Sequence, residues 1–504
     1  MQQSRRLIQK ALPILVFILP FSVNYGFVID YFYRCQAPVL DAGLYAGLLW
    51  KNSWALLYPS VVGPAAGVES FLHTHMMPIY WFASALSYVL PLNMVQTVAF
   101  YIGLACAVPA IASYVFLIHQ FKIKQPGLNL LWIAILSLLF AFNGITQAII
   151  GYPHPEVVAI ALLISFLLLW ASQKYGWALL PFSLCLMVRE DLGFHIVAIL
   201  GLVLLLYWRE SLRFWQSAWA SWTVLFASIA MLYSCGALAA QDLLFPGGQA
   251  LFQTTYLGIP PYAHISAAFL WQRLSIYLTT KQYVYWPAIA TVMMALYPRR
   301  RLALLIGFAA YLPWFMVHFL AVTEQAGLLI GYYAYPFVVS LAWPLIYPWL
   351  NAQQPTAATQ QWAIKTFAVG IIVSIVGGWI SPVAGTIDLS HFLHHANVRA
   401  FNAFTAAVEM QQDLGQVYID ESVAALMPTH FQRSERLLFL PEGQPVETLL
   451  YCEPSLEPEK LQQVTQAQSF EYEFEIQGTP LKLKTNLDPQ TLESGWSEIL
   501  EPVD

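Results

Sequence analysis

The stretch from Ala11 to Ile29 reads ALPILVFILPFSVNYGFVI and carries no charged side chain. At a rise of about 1.5 Å per residue, a helix of this length nearly crosses the roughly 30 Å hydrocarbon core of a bilayer. Arg5, Arg6 and Lys10 precede it, and no small-residue cleavage site follows at the distance expected of a signal peptide. The pattern predicts a retained first transmembrane helix with a cytoplasmic N-terminus.

The composition of the whole chain extends this prediction. Of 504 residues, 58% are hydrophobic and only 10% are charged, against roughly 25% charged in typical soluble domains. The net charge of −5 is spread over short clusters between apolar runs, so we expect no nucleic-acid partner. The expected partner is the lipid bilayer.

Further apolar runs along the chain indicate about eleven transmembrane helices in total. After the first, they lie approximately at Val95–Ile118, Leu128–Ile150, Val157–Ala171, Tyr175–Val188, Phe194–Trp208, Ala218–Ala239, Tyr283–Tyr297, Leu302–Leu320, Leu328–Leu350 and Phe367–Ile387. The apolar segment Met76–Leu92 is short and bounded by prolines, and we expect it to lie at the membrane surface instead of crossing.

The distribution of positive charge supports placing Met76–Leu92 at the membrane surface. With Met76–Leu92 left out of the count, Lys and Arg collect in the loops on the same side as the N-terminus, as the positive-inside rule requires. The opposite, external side then holds the long first loop 30–92, the turns Gly151–Glu156 and Arg189–Gly193, the loop Gln241–Gln282, and the tail.

The tail, residues 388–504, differs in character from the transmembrane domain, residues 1–387. Acidic residues become frequent, and two alternating stretches, Phe470–Ile476 and Leu481–Lys484, flank Gln477. Alternation of this kind predicts a β-hairpin. We expect a small external α+β domain.

Four groups of polar residues lie on the predicted external face, where ionisable side chains near a bilayer are functional candidates. Asp41 follows the first helix and could act as a general base; as an alternative, it caps the helix that begins there. His73 and His75 close the same loop and could bind metal or contact phosphate, or they are ordinary interfacial histidines.

The third group is Tyr152-Pro153-His154-Pro155-Glu156, in which Glu156 and His154 could ligate a divalent cation. The alternative is helix punctuation, with an acid favoured by the helix dipole. The fourth is Arg189-Glu190-Asp191, in which the arginine could grip a phosphate. A simple charge cluster at the membrane boundary is the alternative.

Together these motifs resemble the GT-C superfamily of membrane glycosyltransferases, and more narrowly a bacterial family of predicted membrane proteins of unknown function. The resemblance rests on Asp41 with Gly43, on His75 before Pro78, on His154-Pro155-Glu156, and on Arg189-Glu190-Asp191. It covers about residues 30–208. Tyr152 stands where the resemblance leads us to expect an acid.

The resemblance implies an inverting transferase in a bacterial inner membrane. It would move a sugar from a polyprenyl-phosphate-linked donor to a glycan, lipid or protein acceptor at the external face. Asp41 would be the general base, while Arg189, His75 and His73 would bind the donor phosphate. Glu156 and His154 would hold Mg²⁺ or Mn²⁺, with Glu190, Asp191 and Tyr152 in support.

The alternative hypothesis is a membrane protein without catalytic activity, such as a transporter or an assembly factor for envelope polymers. A transporter predicts functional charges near the bilayer midplane. His195, His318 and Glu324 are the residues of this sequence that come closest to that pattern.

Overall fold

The computed structural model describes residues 2–34, 39–52, 54–56, 70–120, 128–150, 152, 154, 156–207, 217–245, 252–297, 301–350, 355–381, 417–419, 435–436, 448–452, 470–477, 479–487 and 500–502. The first helices in chain order are α1 (Gln2–Tyr33), α2 (Val39–Leu49), α3 (Ile79–Val89), α4 (Met94–Gln120), α5 (Leu128–Ala141), α6 (Gly144–Ile150), α7 (Glu156–Ala171), α8 (Tyr175–Leu186) and α9 (Leu192–Tyr207). There follow α10 (Ala218–Leu244), α11 (Ala267–Thr280), α12 (Gln282–Leu296), α13 (Ile306–Ala309), α14 (Leu312–Phe319), α15 (Glu324–Gly327), α16 (Tyr335–Ile346) and α17 (Ala357–Ile380).

The chain is a polytopic α-helical membrane protein with a small sheet near its C-terminus. Six of the described segments are long and apolar enough to cross a membrane: Lys10–Tyr33, Met94–Gln120, Ala218–Leu244, Leu302–Phe319, Glu324–Trp349 and Ala357–Ile380. A seventh is added if α5 and α6, which bend by 43° where they meet, form one broken span.

Each of the eleven predicted apolar runs contains a helix. Four of these helices, α7, α8, α9 and α12, have only 16, 12, 16 and 15 residues, fewer than the roughly 20 that a perpendicular span needs. The count of eleven spans therefore stays a prediction. The last predicted run, Phe367–Ile387, differs from the structure, in which α17 covers Ala357–Ile380. Residues 382–387 lie outside the described part.

Helix α3 is the predicted surface segment. Its 11 residues make it about 16 Å long, too short to cross a bilayer. Tyr80 and Ser84 are buried, while Phe82 and Val89 are 57% and 79% exposed. The backbone N–H of its first residue, Ile79, donates to the carbonyl of Met187 at 2.9 Å. This bond ties the first external loop to the end of α8.

The helices that carry the polar turns are closely packed. Helix α7 packs against α4 and α8, and α9 packs against α10. At Gly193, the second residue of α9, a Cβ atom would collide with the carbonyl oxygen of Ala230 in α10. Glycine is therefore required two residues after the triplet Arg189-Glu190-Asp191, because the backbones of the two helices approach each other there.

The C-terminal sheet contains six described strands, β1 (Val417–Ile419), β2 (Glu435–Arg436), β3 (Thr448–Cys452), β4 (Tyr472–Ile476), β5 (Leu481–Thr485) and β6 (Leu500–Pro502), in the order β2-β1-β3-β5-β4-β6. The predicted hairpin is confirmed as β4–β5, which pair antiparallel. Lys484 bonds Glu473 at 3.0 Å on the outer face, and Leu481 and Leu483 point into the core. The boundary at residue 388 and the external location of the domain stay predictions.

Candidate functional site

Three separate turns bring the predicted polar residues together. They are the end of the first external loop with His75, the α6–α7 turn with His154 and Glu156, and the α8–α9 turn with Arg189. The α8–α9 turn is tight: the carbonyl of Arg189 accepts from the backbone N–H of Leu192 at 3.2 Å. The arginine is only 8% exposed, so its charge needs partners within the protein.

Two carboxylates supply those partners. Asp191 grips the guanidinium of Arg189 with both oxygens: Nε donates to Oδ1 at 2.8 Å and Nη2 to Oδ2 at 2.6 Å. Glu156 accepts from Nη1 through Oε1 at 2.8 Å. Three of the five guanidinium N–H groups are used in this way, and the other two have no partner among the described residues. The guanidinium is fixed in place with part of its donor edge available to a ligand.

Glu156 begins α7 and is completely buried. Its second oxygen, Oε2, contacts Nδ1 of His154, two residues earlier. The His154 ring is stacked on Tyr332, with centroids 3.6 Å apart, and its centroid lies 3.9 Å from that of Tyr45 in α2, in an edge-to-face arrangement. This stacking holds the imidazole against the carboxylate and brings the C-terminal half of α2 to the site.

Glu190 connects the same cluster to the first external loop. Its Oε1 lies 2.9 Å from Nδ1 of His75, and its Oε2 accepts the backbone N–H of Met76 at 2.9 Å. Because both oxygens bind consecutive residues, this carboxylate fixes the position of the loop that leads into α3.

The charges of the cluster respond to burial and to one another. Burial acts to lower the pKa of Arg189, but the adjacent Asp191 and Glu190 carboxylates outweigh it and hold the pKa above its usual value. Burial acts to raise the pKa of Asp191, and the Arg189 guanidinium outweighs this and keeps that pKa low. Burial, with His75 and Arg189 nearby, lowers the pKa of His154 well below its usual value.

These contacts bear on the predicted cation site. Glu156, Glu190 and Asp191 each have both oxygens engaged by Arg189, a histidine or a backbone N–H. In the part of the chain that the structure describes, no three His, Cys, Asp or Glu side chains converge as metal ligands. The guanidinium takes up an oxygen of Glu156 that Mg²⁺ or Mn²⁺ would need. In this arrangement Glu156 does not offer that oxygen to a cation, and Mg²⁺ or Mn²⁺ at Glu156 and His154 stays a prediction.

An aromatic cluster lines the other side of the guanidinium. The ring of Trp314 lies 5.6 Å from Cζ of Arg189, and the rings of His195 and His318 are 4.8 Å and 4.3 Å from that of Trp314. Both histidines are buried, and Nε2 of His318 has no hydrogen-bond partner among the described atoms. Tyr45, Trp314 and Tyr332 were not predicted as part of the site, since no local sequence pattern distinguishes them from other aromatic residues of the helices.

Of the remaining predicted residues, His73 lies elsewhere, Tyr152 lies beside the cluster, and the side chain of Asp41 is outside the described part. The carbonyl of His73 accepts from Gln241 at 3.0 Å, and its ring lies 5.9 Å from that of Phe245, so it faces the end of α10 instead of Arg189. The ring of Tyr152 lies 5.6 Å from that of Tyr332. Asp41 belongs to α2, one turn before Tyr45, and its side chain is outside the described part.

No protein-family model and no curated protein matches the chain. The structure is similar to that of ArnT from Cupriavidus metallidurans bound to undecaprenyl phosphate, with 11% identity and a TM-score of 0.48 over 94% of this chain and 99% of that one. It is also similar to the oligosaccharyltransferase AglB from Archaeoglobus fulgidus in complex with an inhibitory peptide and a dolichol-phosphate, with 11% identity and a TM-score of 0.42 over 99% of this chain and 77% of that one. Likeness at this level does not by itself establish a common fold or a common activity.

Proposed function

We propose that this chain is a membrane glycosyltransferase of the GT-C type, which transfers a sugar from a polyprenyl-phosphate-linked donor to an acceptor at the external face. One observation carries the proposal. A buried guanidinium, Arg189, is fixed by Glu156 and Asp191 where three predicted external turns meet. That the donor is a polyprenyl phosphate rests on the resemblance of the sequence motifs.

Arg189 is suited to the phosphate of such a donor. The two N–H groups that Glu156 and Asp191 leave over belong to Nη1 and Nη2, and such guanidinium N–H groups bind phosphate oxygens well. As the bond between sugar and phosphate breaks, negative charge accumulates on the phosphate. A donor that is already oriented stabilises that charge without reorganisation in the transition state.

The general base must be another residue. Glu190 and Asp191 are hydrogen-bonded through both oxygens, and Glu156 is completely buried and bound by Arg189, so none of them is in a position to accept a proton from an acceptor. We assign this role to Asp41, because α2 reaches the site through the contact of Tyr45 with His154.

In the proposed step, the carboxylate of Asp41 takes the proton of an acceptor hydroxyl while the hydroxyl oxygen attacks the anomeric carbon. A carbon–oxygen bond to the acceptor forms, and the bond between the anomeric carbon and the phosphate oxygen breaks. The leaving phosphate keeps the electron pair, and attack from the opposite side inverts the configuration. No step requires a metal ion.

The test uses the detergent-solubilised full chain and undecaprenyl phosphate as the probe. Native mass spectrometry should show the bound lipid in the wild type and in Asp41→Asn, and a strong loss of binding in Arg189→Gln. Lys174→Gln, at an exposed position of the opposite side, is the matched control. Undiminished lipid binding by a folded Arg189→Gln protein would contradict the proposal. Once lipids that co-purify have identified a donor, turnover should be lost in Asp41→Asn.

A second candidate is a transporter for a lipid-linked or anionic substrate. It is favoured by His318, a completely buried ionisable residue within the candidate span Leu302–Phe319. Transfer of labelled lipid across proteoliposomes without formation of a glycosylated product would support this alternative over the transferase.

A further inference from the structure

Helix α11 presents two chemically different exposed sides. At about 100° per residue, Trp271, Leu274 and Leu278 fall within one sector of about 60°, and they are 72%, 41% and 51% exposed. The adjacent sector of similar width holds Gln272, Ser275 and Thr279, which are also exposed. One exposed side is therefore apolar, and the other is polar except for the small side chain of Ala268.

The third side of α11 is buried and fixes the rotation of the helix. Nη2 of Arg273 donates to the carbonyl of Ala321 at 3.1 Å, and Nη1 donates to the carbonyl of Glu324 at 3.4 Å. The hydroxyl of Tyr277 donates to the carbonyl of Gly327 at 3.0 Å. A Cβ atom at Gly327 would collide with the guanidinium, so the chain closes tightly around the buried arginine. Rotating the helix would break these bonds, so the apolar side cannot turn inward.

Neither water nor lipid alone suits such a helix. In water, Trp271, Leu274 and Leu278 would stay exposed, at a cost of roughly 25 cal/mol for each Å² of apolar surface. In lipid, the side chains of Gln272, Ser275 and Thr279 would lose their contact with water. A helix at the boundary satisfies both sides, and a tryptophan on the apolar side is typical of such a position.

The surface next to α11 indicates that the apolar side of this helix faces the lipid bilayer. Helix α12 begins one residue after the end of α11, and its exposed large side chains are also apolar. They are Ile289, Val292, Met293 and Leu296. The predicted span that directly follows α11 in the chain therefore also presents an apolar exposed surface.

We propose that α11 lies at the membrane–water interface, with Trp271, Leu274 and Leu278 in the acyl-chain region and Gln272, Ser275 and Thr279 in water. Through Arg273 the helix also sets the depth of the turn at residues 320–327, which directly follows α14 with its Trp314 and His318. The candidate site, which includes Trp314, then lies below the headgroup level of one leaflet, at the depth of α14. This inference does not depend on the proposed transferase activity.

Site-directed spin labelling tests the inference. The full chain with its five cysteines replaced carries one new cysteine at a time, from Trp271→Cys to Thr279→Cys, at the three apolar and three polar positions. The protein is reconstituted in phosphatidylethanolamine–phosphatidylglycerol liposomes. The accessibility of each nitroxide to lipid-soluble oxygen and to a water-soluble nickel complex is then measured by power saturation. Met293→Cys is the lipid control and Glu475→Cys the water control.

The oxygen-to-nickel ratio should be several-fold higher at positions 271, 274 and 278 than at 272, 275 and 279. Equal ratios at all six positions, or nickel access at the apolar three, would overturn the inference. If the chain without cysteines does not fold, single lysine substitutions in the native chain decide. Leu274→Lys should lower thermal stability in liposomes, whereas Ser275→Lys should not, and equal effects would refute the proposed orientation.

Discussion

Replacing Arg189 by glutamine should destabilise the protein strongly. The substitution removes the guanidinium that neutralises Glu156 and Asp191, and with it three hydrogen bonds of 2.6 to 2.8 Å. Glu156 has no exposed surface to compensate through water. Breaking a buried ion pair by removing one partner costs about 3–5 kcal/mol, and we expect Arg189→Gln to fall in this range.

Two further variants, Glu156→Gln and the double variant, separate the effect of the charge on stability from that of the side-chain volume. Glu156→Gln keeps an acceptor for Arg189, which also retains Asp191, so the cost should be about 1.5–3 kcal/mol. In the double variant Arg189→Gln with Glu156→Gln, one of the two buried carboxylates no longer needs a cation. The loss of stability in this double variant should be smaller than the sum of the losses in the two single variants by about 1–3 kcal/mol.

Unfolding in mixed micelles of dodecyl maltoside and dodecyl sulfate, followed by circular dichroism, measures these differences. Lys174→Gln is the control and should stay within about 0.5 kcal/mol of the wild type, because Lys174 is exposed. If Arg189→Gln were as stable as Lys174→Gln, or if the two single losses were additive, the guanidinium would not be coupled to Glu156 as the structure shows.

Three further predictions concern the turns around the site. Gly331 has φ +65°, and a Cβ atom there would lie 2.7 Å from an aromatic ring atom, so Gly331→Ala should lower the stability by about 1–3 kcal/mol. The control is Gly176→Ala in helix α8, where a Cβ atom meets open space; it should be neutral or stabilising in the same unfolding assay. Burial lowers the pKa of His154 well below 6.5, so only the unfolded chain takes up this proton near pH 6. Stability should therefore fall as the pH drops below 6.5, and an equally steep fall in His154→Gln would contradict this assignment. Glu190→Gln should accelerate hydrogen exchange at the amide of Met76, measured by mass spectrometry, because that N–H donates to the carboxylate; unchanged exchange would show that another group protects it.

Which turns meet could be predicted from the sequence because membrane topology limits the possibilities. Once the positive-inside rule placed the loops, His75, Glu156 and Arg189 had to lie at one end of the helices. The structure places them in one cluster. The hairpin β4–β5 could also be predicted, since alternation of apolar and polar residues indicates a strand with one buried face.

The pairing within the cluster could not be predicted. An acid and a histidine two residues apart are compatible with a metal site, and nothing local shows that the guanidinium of Arg189 bonds to Glu156, 33 residues earlier. The stacking of Tyr332 on His154 joins residues even farther apart in the chain. Such contacts depend on how helices pack, and a single sequence carries no record of them.

The lengths of the helices explain why so many charges are paired. Helix α8 has 12 residues and rises about 18 Å, whereas the hydrocarbon core is about 30 Å thick. Exposed Lys174 precedes α8, and Arg189 lies three residues beyond its end. If Lys174 is at the cytoplasmic surface, as the topology predicts, Arg189 lies roughly 10 Å short of the external boundary of the core. Water cannot solvate an arginine at that depth unless the protein provides a cavity, so carboxylates must accompany it in the sequence. An arginine held in this way below the headgroups is accessible to the phosphate of a lipid that enters between helices.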